Sequence, residues 1–199
     1  MAVAMTLTPE QYLEIGRSAE YKSEYYRGEM FAMAGASYAH VLLVSNLNTE
    51  LSTGLRGTPC HVIMSGLRVR TGHDGLYTYP DIVAICGEPR FADNRPDTLI
   101  NPVLIVEVLS MSTELKDRGF KFREYRKIDS LKQYVLVSQY YQHIEVFSKG
   151  EDGVWSFKDF EGPETTCVFT SLGCSVKIGE VYRGVPLETP PTQEELLES

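Results

Sequence analysis

The apolar and polar positions divide the chain into short strands and three helical stretches. Near the start, Thr8 is a good N-cap, Pro9 suits the first helical position and Gln11 completes a capping box, so a short helix is expected to end near Gly16. EYYRGEMFAMAG reads as two short strands about Arg27 and Gly28. In ASYAHVLLVSNLNTELSTGL, Ala39, Leu42, Leu43, Leu47 and Leu51 recur at three and four residues, the mark of an amphipathic helix, closed here by Gly54. CHVIMSGLRVR is strand-like, TGHDG is a turn, and LYTYPDIVAIC is a second strand. A polar loop over 87–101 leads to a third strand, PVLIVEVLS. Ser112 or Thr113 then caps a helix to about Ile128, with Leu115, Phe122 and Tyr125 toward the sheet. KQYVLVSQYYQHIEVFSK forms two alternating strands, and KGEDG turns into VWSFKDF. This order predicts an α/β or α+β fold with a mixed central sheet, helices on both sides and additional strands. Residues 1–185 are expected to make a single domain, and 186–199, acidic and Pro-rich, a flexible tail.

Two acids interrupt this pattern. Glu107 stands inside the run NPVLIVEVLS, which otherwise reads as a strand covered on both faces. Asp81 breaks YPDIVAIC in the same way. A buried ionised carboxylate is costly unless something pairs with it, and two of them on neighbouring strands repel unless a cation lies between. A divalent metal answers both requirements: Mg²⁺ takes hard oxygen ligands and is commonly held by one or two carboxylates with water and substrate phosphate. The backbone carbonyl of Val108 is a natural further ligand because it follows Glu107. Taken singly, Asp81 also fits a Pro-Asp turn and Glu107 a strand end opening to solvent.

Composition narrows the setting. No apolar stretch approaches the roughly 18 residues that span a bilayer. MAVAMTLTPE carries neither a basic head nor a hydrophobic segment, so a cytoplasmic protein without a signal peptide is expected. The four cysteines lack CxxC or finger-like spacing, so neither a zinc site nor a disulfide is expected and all four read as buried free thiols. A net charge of -8 argues against broad attraction to nucleic acid phosphates, yet Lys116 to Lys132 holds seven of the 19 basic residues.

The dipeptide Pro80-Asp81, followed by an acid in a hydrophobic strand, resembles the PD-(D/E)XK nuclease superfamily. EVLSMSTELKDRGFKFREYRK and QYVLVSQYYQHIEVF bring the chain closer to the Uma family of restriction endonucleases within it. That pattern, EVLSPST, then D, G and K on the next helix, then Tyr, then an acid or amide before an aromatic and LVD, falls here on Glu107 to Thr113, Asp117, Gly119, Lys121, Tyr125 and Gln133-Tyr134. The similarity spans roughly Tyr25 to Phe147. Met111 replaces the proline after EVLS, Ser138 replaces the Asp of LVD, and Leu109 occupies the superfamily's usual lysine slot.

What the resemblance implies is a restriction-endonuclease-like core and a metal-dependent DNA endonuclease. Asp81 and Glu107, with Val108, would hold Mg²⁺ or Mn²⁺. Lys121 would take over the missing lysine's role from the following helix, reaching back on its long stem. Set against that, Asp117 and Lys121 at i and i+4 ordinarily form a surface ion pair. His40, in the first turn of the long helix, and Glu29, in RGEMFAMAG, match further family positions and are accessory candidates. Tyr134, Tyr140, Tyr141 and Phe147 suit base stacking or core packing. His73 and Asp74 are turn residues first. A homodimer suits cleavage of both strands of a duplex. The alternative is a nuclease fold retained for binding, with little or no turnover.

Overall fold

The structure is a computed structural model that describes residues 6–64, 66–73, 75–187 and 189. The flexible tail expected beyond Val185, Asp74 of the turn and the first five residues lie wholly or largely outside the described residues.

Helix α1 (Pro9–Ser18) begins as expected: Gln11 N donates to Thr8 Oγ1 at 3.3 Å and Thr8 N donates to Gln11 Oε1 at 2.8 Å. Strands β1 (Ser23–Tyr26) and β2 (Glu29–Ala32) form a hairpin on Arg27 and Gly28. Both turn residues have positive φ, 47° and 95°, as a two-residue turn matched to strand twist requires. Helix α2 (Tyr38–Gly54) is capped by Ser37 and buries Ala39, Leu43, Val44, Leu47 and Leu51.

CHVIMSGLRVR is not one strand. It divides about Gly66 into β3 (Cys60–Met64) and β4 (Arg68–Arg70), which join different sheets. LYTYPDIVAIC likewise divides at Pro80-Asp81 into β5 (Tyr77–Thr78) and β6 (Ile82–Cys86), and the polar loop holds a short β7 (Thr98–Leu99). The remaining strands are β8 (Leu104–Val108), β9 (Gln133–Val137), β10 (His143–Lys149), β11 (Trp155–Glu161), β12 (Thr166–Phe169) and β13 (Cys174–Lys177). The central sheet runs β11-β10-β9-β8-β6-β3, with β8 and β9 parallel and its other neighbours antiparallel, so it is mixed as expected. A second sheet runs β2-β1-β5-β4-β7, and β12 pairs with β13.

Strand alternation sorts the core into two layers. Ile82, Ala84, Leu104, Val106, Val108, Val135 and Val137 pack against Leu43, Leu47 and Leu51 of α2 and against Ile178 and Val181 of α5 (Ile178–Val181). Val83, Ile85, Ile105, Tyr134 and Leu136 face the other way, toward Tyr125, Ile128 and Leu131. The fold is thus α+β, with helices on both faces of the sheet.

The helix expected after Ser112 is interrupted. It runs as α3 (Glu114–Lys116), a π-helical turn (Asp117–Lys121) and α4 (Phe122–Tyr125). Leu115, expected against the sheet, is 64% exposed, whereas Tyr125 is fully buried and Phe122 packs among Tyr134, Phe147 and Trp155. The π turn explains the difference. Residues seven apart return to the same face of a regular helix, but hydrogen bonds from i to i+5 wind the chain less per residue and rotate Leu115 out of line.

The cysteines also depart from expectation. The β3–β6 register sets Cys60 directly opposite Cys86, and the two are joined as a disulfide. Cys167 and Cys174 are free, Cys167 buried with its thiol pushed up to about 12 by burial.

Candidate active site

Glu107 shares its side of β8 with Ile105 and Leu109 and so meets the helical segment Glu114–Tyr125. It is 3% exposed. Tyr125 Oη donates to Glu107 Oε1 at 2.6 Å and Lys121 Nζ donates to the same oxygen at 3.1 Å. Lys121 is 6% exposed and faces Asp117 Oδ1 at 3.0 Å and Glu24 Oε1 at 3.5 Å. Asp117 and Lys121 are therefore not a surface pair. The π turn carries both inward, and turns of this type recur at functional sites.

Asp81 lies just before β6. The register that pairs Ile82 with Val106 brings it level with Glu107 one step on. Its carboxylate accepts from Val108 N at 2.7 Å and from His40 Nε2 at 2.9 Å. Because a strand residue sends its N–H and C=O toward the same neighbour, the Val108 carbonyl faces the Asp81 side of β8. His40 gets there through the α2 N-terminus, where Ser37 accepts from His40 N at 3.2 Å. Ser37 in turn donates to Gln139, whose amide donates to Leu109 O.

The electrostatics follow from burial. Removal from water pushes the Glu107 carboxyl up to about 8, with Lys121 opposing the shift and the charges of Asp117 and Asp81 adding to it. Burial likewise raises Asp117 against the pull of Lys121. For Lys121, burial disfavours the ammonium, but Glu107, Asp117 and Glu24 outweigh it and hold the group charged well above the ordinary lysine value. Glu24 is also buried, yet Lys121, Lys116 and Thr78 keep its carboxyl below the usual range. Three carboxylates, Glu107, Asp117 and Glu24, thus converge on two ammonium groups, since Lys116 Nζ reaches Glu24 Oε2 at 2.5 Å. Asp117 Oδ1, although buried, has the Lys121 ammonium as its ion-pair partner at 3.0 Å.

Three buried carboxylates against two ammonium groups, with Asp81 at the adjoining strand end, fit a cation. Among the described residues no group of three or more His, Cys, Asp or Glu side chains is arranged to hold a metal. A hard cation here would draw on the Asp81 and Glu107 carboxylates, a backbone carbonyl and oxygens from outside the chain, the pattern Mg²⁺ favours.

Of the sequence candidates, the structure brings Asp81, His40 and Val108 together at one strand end, and Glu107 with Lys121 beside them. Glu29 is not among them: it is exposed at the start of β2. The glutamate that reaches Lys121 is Glu24, on the other arm of the hairpin, and sequence reasoning missed it. It also missed the inward role of Asp117 and the hydroxyl of Tyr125. Tyr134 and Phe147 are core, with Tyr134 Oη donating to Asp117 O at 3.0 Å. Ser138, in place of the family's Asp, accepts from the backbone N–H groups of Tyr140 and Tyr141, so it keeps a short polar side chain at that turn.

Two cavities flank the helical segment. One, of about 250 Å³, opens between it and the β1–β2 hairpin. The other, of about 240 Å³, lies at its C-terminal end among Arg70, His73, Arg90, Lys127 and Asp129. Arg70 Nε is buried there without a hydrogen-bond partner.

A mixed sheet whose central strand holds a buried glutamate against a helix-borne lysine defines an α+β protein with a carboxylate–lysine centre. That architecture has a solved counterpart. A chain described as "Crystal structure of a putative nuclease belonging to DUF820 from Anabaena variabilis ATCC 29413" superposes with a TM-score of 0.72 at 17% identity, covering 88% of this chain and 97% of that one. The family model "Putative restriction endonuclease" matches residues 9–177, and the chain belongs to this family, Uma2. Two curated relatives from Synechocystis sp., "Uncharacterized protein slr1290" and "Uncharacterized protein sll1609", are each 35% identical. The first match covers 90% of this chain and 93% of the relative; the second covers 86% and 98%. No helix among the described residues is long and apolar enough to cross a membrane.

Proposed function

We propose that the protein is a metal-dependent endonuclease that hydrolyses DNA phosphodiester bonds at the Asp81–Glu107–Lys121 cluster. The observation that carries this reading is the Lys121 ammonium, buried on a π turn and held 3.1 Å from Glu107, while Leu109 fills the strand position where the resemblance would put the lysine. Asp81 and Glu107, with the Val108 carbonyl, would hold Mg²⁺ or Mn²⁺. When bound, such an ion lowers the pKa of a coordinated water and offsets charge on the scissile phosphate.

The chain's own groups do the rest. Val108 N–H and His40 fix the Asp81 carboxylate at the strand end. Tyr125 fixes Glu107 by donating to one oxygen only, so the other is not held by that bond. Lys121 stays protonated throughout and aims its charge at the place where a phosphate oxygen gains negative charge, the kind of preorganised electrostatic stabilisation that dominates many hydrolytic sites. Asp117 and Glu24 hold that ammonium in place at 3.0 and 3.5 Å.

The test is incubation of supercoiled plasmid and single-stranded DNA with Mg²⁺ or Mn²⁺, using wild type and Glu107→Gln in parallel. Cleavage by wild type that chelator abolishes and Glu107→Gln lacks supports the proposal. Binding without cleavage under every condition would instead support the nuclease fold as a binding module.

A further inference from the structure

The cavity between the β1–β2 hairpin and the helical segment is lined by Tyr26, Phe31, Leu76, Lys116 and Phe120. Tyr26 and Phe120 meet edge to face with centroids 4.8 Å apart. Phe31 is 42% exposed, and the Lys116 ammonium stands 5.5 Å from its ring centre. Leu76, 1% exposed, contributes a buried apolar wall. The cavity adjoins the proposed catalytic cluster: Glu24 takes Lys116 on one oxygen at 2.5 Å and Lys121 on the other at 3.5 Å.

We propose that this cavity receives an unpaired nucleobase of the strand being cut, stacked on Phe31 beside the Tyr26–Phe120 pair, and that the protein therefore acts on single-stranded or locally unpaired DNA. The inference rests on the nuclease reading and adds the substrate class to it. The volume of about 250 Å³ is below the roughly 300–1,000 Å³ of clefts for drug-sized ligands, so it suits one ring system and not a whole nucleotide. Aromatic lining favours a flat π-face, and the nearby ammonium favours an anionic chain. Because the walls offer few donors or acceptors, recognition is tolerant of sequence: every base has a π-face. A base inside a duplex already stacks on both sides and reaches such a cavity only by leaving the helix, at a cost of a few kcal/mol.

The experiment measures binding without cleavage. Full-length protein in chelator is titrated with oligonucleotides carrying 2-aminopurine or an abasic site at single positions, single-stranded or in a duplex. The expected result is a fluorescence change confined to one position and tighter binding of the single strand. Phe31→Ala should weaken that binding about tenfold, in line with the loss of one stacked base. An abasic site at the same position should weaken wild type equally and Phe31→Ala no further. An unchanged melting temperature checks that Phe31→Ala is folded. Equal single-strand affinity of wild type and Phe31→Ala, or losses that add between the abasic site and the variant, would overturn the inference. The two readings fail separately. Base-dependent binding with no cleavage in Mg²⁺ removes the nuclease but keeps the pocket, whereas cleavage unaffected by Phe31→Ala on every substrate removes the pocket but keeps the nuclease.

Discussion

Replacing Lys121 with Met keeps most of the apolar stem and removes the ammonium that faces Asp117, Glu107 and Glu24 at 3.0, 3.1 and 3.5 Å. Removing one partner from a buried charge network leaves the others uncompensated and costs about 3–5 kcal/mol, whereas an exposed i, i+4 pair contributes about 0.5 kcal/mol. With Lys121 only 6% exposed, the larger figure applies. For a chain of this size, about 3 kcal/mol lowers the melting temperature by about 6–12 °C. The pH dependence has a definite sign. Burial raises the Glu107 and Asp117 carboxyls above their unfolded values, so their protonation favours the folded state. That contribution is full below the unfolded pKa and lost as pH rises through the folded one. Loss of Lys121 raises both further, so Lys121→Met should stand nearest wild type at about pH 5 and fall away toward about pH 9. Thermal unfolding by circular dichroism across that range reads the effect, and single-turnover cleavage should fall about 10²–10³-fold beside it. A deficit under about 1 °C at every pH would show a solvent-screened pair and refute the reasoning. Full cleavage by the folded variant would pass the role to another cation, with Lys116 next in line.

Because Glu107, pushed up to about 8, must lose its proton to hold a cation, Mn²⁺ affinity should rise with pH to about 8 and then level; calorimetry in buffers of different ionisation enthalpy counts the released proton, and an affinity flat from pH 6 upward would contradict it. Arg70→Ala should reduce the slope of log affinity for DNA against log salt by about 1, since Arg70 stands unpaired at Nε in the basic cavity; an unchanged slope would place DNA elsewhere. The protein should form a homodimer with two sites related by a two-fold axis, and light scattering that gives the monomer mass at micromolar concentration would remove that expectation.

The acid in an apolar run was legible because strand burial and ionisation are in direct conflict at Glu107, and the run itself states both. The α2 cap and spacing were legible for a similar reason, being local: Ser37 and the leucines act within a few residues of one another. Glu24 was not. EYYRGEM offers an acid on each arm of a hairpin, and which one turns inward depends on β1 pairing with β5, a contact distant in sequence. The Cys60–Cys86 bond depends in the same way on the β3–β6 register. CHVIMSGLRVR read as one strand; Gly66, with φ of 131°, breaks it, and nothing local says that the two halves enter different sheets. The π turn left no mark in the apolar spacing, so Leu115 was placed on the wrong face and Asp117 with Lys121 looked exposed.

The most direct test of the central claim is a calorimetric titration of Mn²⁺ into metal-free wild type and Asp81→Ala at about pH 8, where Glu107 begins to be available as a carboxylate. The account predicts binding by wild type, heat from proton release, and loss of that binding in a folded Asp81→Ala. Equal Mn²⁺ affinity in the two proteins, or none in wild type, would contradict it.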